Sequence, residues 1–114
     1  MAYNPIYSDT KSSFGISADD WEKIKRVFSR FKSIDRVWLY GSRALGKQKK
    51  YSDIDLVVDG VLLDRKMLHQ IKVVLEELNL PYIFDVSLLN NIDNKELVEH
   101  IDRVGKLIYQ SAGD

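Results

Sequence analysis

Between Ser17 and about Lys32 the apolar residues Trp21, Ile24, Val27, Phe28 and Phe31 recur at intervals of three and four, which predicts an amphipathic helix. Ser17 followed by Asp20 forms a near capping box at its start, with aspartate in the place usually given to glutamate. The pattern then changes to short runs rich in β-branched and aromatic residues. Arg36 to Tyr40 (RVWLY) and Asp53 to Asp59 (DIDLVVD) read as two largely buried strands, ended by Gly41 and Gly60. Helical spacing returns after Asp64, a predicted cap, with Met67, Leu68, Ile71, Val74, Leu75 and Leu78 as the core stripe, and Pro81 rules out continuation. Tyr82 to Leu88 (YIFDVSL) has strand composition interrupted by Asp85. Asp93 with Glu96 predicts the cap of a short helix carrying Leu97, Val98 and Ile101, Gly105 ends it, and Leu107 to Tyr109 forms a small last strand. The alternation of strands and helices predicts an α/β (α+β) layer design.

Residues 1–16 (MAYNPIYSDTKSSFGI) follow neither period and are broken by Pro5 and Gly15. They are read as an N-terminal tail, either disordered or docked on a partner through Tyr3, Tyr7 and Phe14. Residues 17–110 then make a single domain and 111–114 a C-terminal tail. A chain of 114 residues with 45% apolar and 30% charged residues is enough for one ordinary core. Its 17 basic and 17 acidic residues cancel, so no overall electrostatic grip on nucleic acid is expected, and direct nucleic-acid binding is not predicted. Without cysteine there are neither disulfides nor thiolate metal sites, and no apolar stretch approaches the ~20 residues of a membrane span. The expected location is the cytoplasm.

Against this background three carboxylates stand out. Strand alternation points Asp53 and Asp55 the same way, about 7 Å apart at Cα, and Asp85 interrupts a later strand. Each aspartate alone has an ordinary explanation: Asp53 in a turn, Asp55 paired with a lysine of residues 47–50, Asp85 on an exposed edge. Together they form a set of hard oxygen ligands suited to magnesium or manganese, and a divalent cation relieves a repulsion that burial would otherwise make costly. The turn before them supplies a complementary half. Gly41 lets the backbone approach a ligand, Ser42 can open a short helix whose amides attract phosphate, and Arg43 adds a forked donor. Lys47, Lys49 and Lys50 raise the local positive potential. The same letters, Gly41 to Lys47 (GSRALGK), satisfy the first seven positions of a phosphate-binding Walker A loop. That reading fails because Gln48 stands where Ser or Thr must hold magnesium, and because the next strand follows too soon for the long helix such a loop requires.

The arrangement Gly41-Ser42-Arg43-Ala44-x-Gly46, five residues, Ser52-Asp53-Ile54-Asp55-Leu56, with a later Phe84-Asp85-Val86, resembles the minimal nucleotidyltransferases of the DNA polymerase beta superfamily. The resemblance runs from the Ser17 helix to the closing segment ending Leu107-Ile108-Tyr109. Leu45, in place of a commonly polar residue, and Tyr51, in place of a frequent glycine, are minor departures. The resemblance implies the nucleotidyltransferase fold, a small mixed β-sheet flanked by helices. It further implies a nucleotide site at Gly41, Ser42, Arg43 and Ser52, with Asp53, Asp55 and Asp85 both catalytic and ligands of two Mg2+ ions, Mn2+ being an alternative. ATP would be the substrate, and Asp85 would accept a proton from the attacking hydroxyl. His69 and His100, both in predicted helices, are read as ordinary surface or boundary residues. Small proteins of this type resemble the antitoxins of toxin–antitoxin pairs, whose partner is a helical HEPN toxin. That likeness implies a protein adenylyltransferase moving AMP to a tyrosine of the toxin within a homo- or hetero-oligomer. Two other readings stay open: a nucleotide-binding antitoxin that neutralises its partner by contact alone, and a homodimeric enzyme acting on a small molecule.

Overall fold

The apolar stripes anticipated above become the inner faces of two layers. In the computed structural model, which describes residues 13–49 and 52–112, α1 (Ala18–Ser29) precedes β1 (Arg36–Tyr40), the single turn α2 (Gly41–Ala44), β2 (Ile54–Asp59), α3 (Arg65–Glu76) and β3 (Phe84–Leu88). A 3-10 turn at Leu89–Asn91, α4 (Lys95–Val104) and β4 (Lys106–Gln110) complete the order. Tyr3, Tyr7, Lys50 and Tyr51 lie outside the described residues. Among the described residues, no helix is long and apolar enough to cross a membrane.

The four strands form one mixed sheet in the order β3-β2-β1-β4. β1 pairs antiparallel with both β2 and β4, while β2 and β3 are parallel, joined by the α3 crossover. One face of the sheet carries Val37, Leu39, Ile54, Leu56, Val58, Val86 and Leu88 and packs against α1 and α3, whose Trp21, Ile24, Val27, Phe28, Ile71 and Leu75 are buried. The opposite face holds a smaller cluster of Trp38, Tyr40, Val57, Leu107 and Ile101, the last contributed by α4. This division makes the central strands apolar on both sides, as their composition predicted. It also leaves one end of the second face for polar residues.

Local chemistry sets the helix starts. The Ser17 hydroxyl accepts from the Asp20 amide at 3.1 Å and the Asp64 carboxylate from the Met67 amide at 2.8 Å, both as expected. The cap of α4 differs from expectation. Asn94, not Asp93, accepts from the Glu96 and Leu97 amides, at 2.9 and 3.2 Å. An amide oxygen one residue nearer the helix reaches the same orphan donors.

The larger surprise is at the beginning of the described chain. Ser13 and Ile16, placed by the sequence in an aperiodic tail, close a tight turn through two mutual backbone hydrogen bonds of 2.9 and 3.0 Å. Its central residues, Phe14 and Gly15, both have positive φ, 57° and 75°. For Gly15 that backbone is free of strain, whereas for Phe14 it costs about 1–3 kcal/mol and persists only where surrounding contacts enforce it. Two such contacts are visible. Ile16 is fully buried in the main core, and the Trp21 indole donates to the Ser13 carbonyl at 3.0 Å.

Leu56 and Val61 offer a test of this layering. Leu56→Ala should lower unfolding free energy by about 2–5 kcal/mol, because Leu56 is fully buried at the sheet centre. Val61→Ser, at a side chain 88% exposed, should change it by no more than about 0.5 kcal/mol. Urea unfolding followed by circular dichroism measures both.

Candidate active site

Strand register assembles the polar end of the second face. Tyr40 stands opposite Asp55 across the antiparallel β1–β2 pair, and Asp55 stands opposite Asp85 across the parallel β2–β3 pair. Tyr40, Asp55 and Asp85 therefore form one row across three strands on a single face. Asp53 directly precedes β2, two residues from Asp55 and on the same side of the chain, since the intervening Ile54 is fully buried in the main core. The sequence reading set Asp85 inside a strand and left open whether it is buried there or lies on an exposed edge. It is exposed, because β3 is the sheet edge. The carboxylate that carries the electrostatic stress is Asp55, which is half-buried in the middle of the row.

Burial first, then the charges of Asp85 and Asp53, push the Asp55 pKa up to about 6, with Arg43 opposing the shift. The Tyr40 phenol is likewise raised by burial and by Asp85 and Asp55, while a hydrogen bond with Ser87 lowers it. A divalent cation between these oxygens would relieve the same repulsion, and hard carboxylate ligands fit magnesium or manganese. Among the described residues, no three His, Cys, Asp or Glu side chains close into a ready-made cage.

The glycine turn is pressed against this row. Gly41 has φ 77°, and a Cβ built there would collide with the Asp55 carboxylate, so glycine is required both for the backbone and for the space. Ser42 follows within α2, and its carbonyl accepts from the Lys47 amide at 2.8 Å to fold the loop back. The Ser52 hydroxyl accepts from the Lys49 amide at 2.7 Å, which holds the loop that enters Asp53. The sequence reading aimed the Arg43 fork at phosphate. The side chain is instead turned inward, 1% exposed, and donates to backbone carbonyls of Ser52, Asp53 and Phe14.

Two residues near the turn carried no signal in the sequence. His100, read from the sequence as an ordinary surface or boundary residue, accepts the Gly41 amide on Nε2 at 3.3 Å and sets its ring edge-on to Tyr40, with centroids 6.2 Å apart. Tyr82 lies under the Arg43 guanidinium at 5.1 Å and donates its hydroxyl to Asp20 at 3.1 Å. A lone histidine on an amphipathic helix looks the same whether it faces solvent or a neighbour. Only the packing of α4 beside β1 decides between them.

A glycine turn packed against a row of carboxylates on one sheet face suits nucleotidyl transfer, and the family model described as "Polymerase beta, Nucleotidyltransferase" matches residues 22–114. The chain belongs to this nucleotidyltransferase family. It is 32% identical over 72 residues to the Haemophilus influenzae protein named "Probable protein adenylyltransferase MntA", over 62% of this chain and 63% of that protein. The chain thus spans less than two thirds of that relative's length. Among solved structures, a toxin–antitoxin crystal structure with AMP-PNP contains a chain that superposes with a TM-score of 0.66 at 21% identity, covering 81% of this chain and 74% of that one. A chain in the complex of tri-AMPylated Shewanella oneidensis HEPN toxin with MNT antitoxin gives 0.60 at 18%, covering 81% and 71%. At such identities the likeness is one of fold, and the mixed sheet with flanking helices is the nucleotidyltransferase arrangement.

The raised pKa of Asp55 has a direct consequence for this chain when no divalent metal is present. A carboxyl whose pKa is 3.8 unfolded and about 6 folded binds its proton more tightly in the fold, so stability falls as pH rises through that interval and stays reduced above it. Asp55→Asn should therefore raise the melting midpoint in EDTA at pH 8 and leave it little changed at pH 4. After solvent screening the gain is about 1 kcal/mol, a shift of roughly 4–8 °C. Added Mg2+ should stabilise the wild type at pH 8 and have little effect on Asp55→Asn, which thermal scans would register.

Proposed function

We propose that the chain is a metal-dependent nucleotidyltransferase that moves AMP from ATP to a hydroxyl of a partner protein, a tyrosine of a HEPN-type toxin, and so acts as an antitoxin. The observation that carries this reading is the row Tyr40–Asp55–Asp85 with Gly41 packed against its central carboxylate. That arrangement supports the reading because a turn open to phosphate would then lie beside carboxylates able to ligate divalent cations. The named relative and the toxin–antitoxin structures of like fold support the protein acceptor and the partner.

In this reading Asp53, Asp55 and Asp85 would hold Mg2+, which would supply charge neutralisation at the triphosphate and a lowered pKa at the acceptor hydroxyl. Gly41 and Ser42 seat the phosphates in the turn between β1 and α2. Asp85, at the exposed sheet edge, takes the proton of the attacking hydroxyl. The acceptor oxygen bonds to the α-phosphorus, the bond from that phosphorus to the oxygen bridging the α- and β-phosphates breaks, and pyrophosphate leaves. The open end of the sheet face lets an acceptor arrive from another chain.

The test uses the purified chain, ATP, Mg2+ and a HEPN-type toxin, sought first in the adjacent reading frame. Intact-mass spectrometry should show the partner heavier by one or more AMP groups. Asp53→Ala and Asp55→Ala should each lower the rate by more than about 100-fold, as removal of a transition-state charge stabiliser does. If the wild type silences its partner with no gain in mass, contact neutralisation replaces catalysis as the function.

A further inference from the structure

Arg43 is the most deeply buried charged residue among those described, and each of its three guanidinium nitrogens donates to a backbone carbonyl. Nη2 reaches the Ser52 carbonyl at 2.7 Å, and Nε is shared between those of Ser52 and Asp53, at 3.2 and 3.3 Å. Nη1 reaches the Phe14 carbonyl at 2.9 Å, while the flat face of the group lies over the Tyr82 ring. Such a planar fork fixes several acceptors at once, which a lysine ammonium on a flexible stem does not reproduce. Two of the bonded carbonyls belong to the segment that aims Asp53. The third belongs to Phe14, a residue held at positive φ in the Ser13–Ile16 turn, whose neighbour Gly15 has room for a Cβ only at 3.0 Å from Arg43 Nη1 and from Gln48 Nε2. This turn precedes the stretch matched by the family model, which begins at residue 22.

We propose that Arg43 is a positioning residue that aims Asp53 at the metal, and that the Ser13–Ile16 turn is a strap completing the carbonyl cage in which Arg43 is locked. The inference rests on the metal site of the proposed function. The strained Phe14 backbone makes sense in this light, because its carbonyl is the acceptor that orients Nη1. Arg43 acts through Asp53 rather than on phosphate, and the strap acts through Arg43.

Binding measurements test this without depending on catalysis. Mn2+ affinity by electron paramagnetic resonance and affinity for AMP-PNP by calorimetry would be measured for the full chain, Arg43→Lys, Gly15→Ala and the double variant. Arg43→Lys should weaken Mn2+ binding about tenfold, the usual effect of removing a group that orients a metal ligand. Gly15→Ala, which crowds both Nη1 and Gln48 and strains a backbone at φ 75°, should weaken it in the same direction, and if the strap acts through Arg43 the double variant should bind Mn2+ no worse than Arg43→Lys alone. Effects that multiply in the double variant would remove the strap from the mechanism. Weakened AMP-PNP binding in the absence of metal, with Mn2+ affinity unchanged in Arg43→Lys, would make Arg43 a phosphate ligand and overturn the proposal. If Arg43→Lys does not fold, Gly15→Ala decides alone: wild-type Mn2+ affinity in that variant overturns the proposal. A wild type that binds Mn2+ but transfers no AMP removes the enzymatic reading and leaves this one to the variants, whereas a wild type that binds no Mn2+ removes both.

Discussion

Like charges gathered at one end of a sheet are the constraint around which this molecule is arranged. Asp55 lies between Asp85 on one neighbouring strand and Tyr40 on the other, half-buried and with Gly41 packed against its carboxylate. Leaving a carboxylate there lowers stability at neutral pH, and the surrounding structure tolerates it because two apolar clusters hold the strands in register. A one-residue slip of β2 would send Asp55 into the main core and Leu56 out of it. The hydrophobic pattern that builds the fold is thus the same device that keeps the carboxylates on one face.

The two faces of the sheet divide the work unequally. The face under α1 and α3 holds most of the buried apolar residues, while the other holds a small cluster under α4 and the polar row beyond it. α4 reaches further than its packing requires, since His100 accepts the amide of Gly41 and so ties the helix to the glycine turn. Arg43 does the corresponding task on the other side, joining the turn at residues 13–16 to the segment before β2. The turn and the carboxylates are therefore braced from elements at both ends of the described chain. Preorganisation of this kind is what charge-stabilising catalysis demands, because groups that must reorganise during reaction lose much of their effect.

Elements that depend on near neighbours were legible in the residues themselves. The caps at Ser17 and Asp64, the strands ended by Gly41 and Gly60, and the spacing of Asp53 from Asp55 follow from hydrogen bonds and alternation within a few positions, and the structure has them where the pattern put them. Even the shift from Asp93 to Asn94 is a choice between adjacent acceptors. The glycine requirement at Gly41 was visible as a turn signal, although its second cause, the closeness of Asp55, was not.

Chain order could not reveal contacts between distant residues. Whether Asp85 was buried or lay on an edge could not be read from its apolar strand, and it is exposed because that strand became the edge of the sheet. Arg43 looked like a phosphate donor because it sits in a glycine turn, yet carbonyls nine and twenty-nine positions away turn it inward. His100 meets Gly41 across fifty-nine positions, and the first turn joins the core through Ile16. Local physics, the periodicity and the capping, was enough to specify the elements and the chemical kinds of group the site holds. Which of those groups face one another, and which are spent on bracing the others, was decided by tertiary packing, because burial and partner distance are properties of the assembled layers.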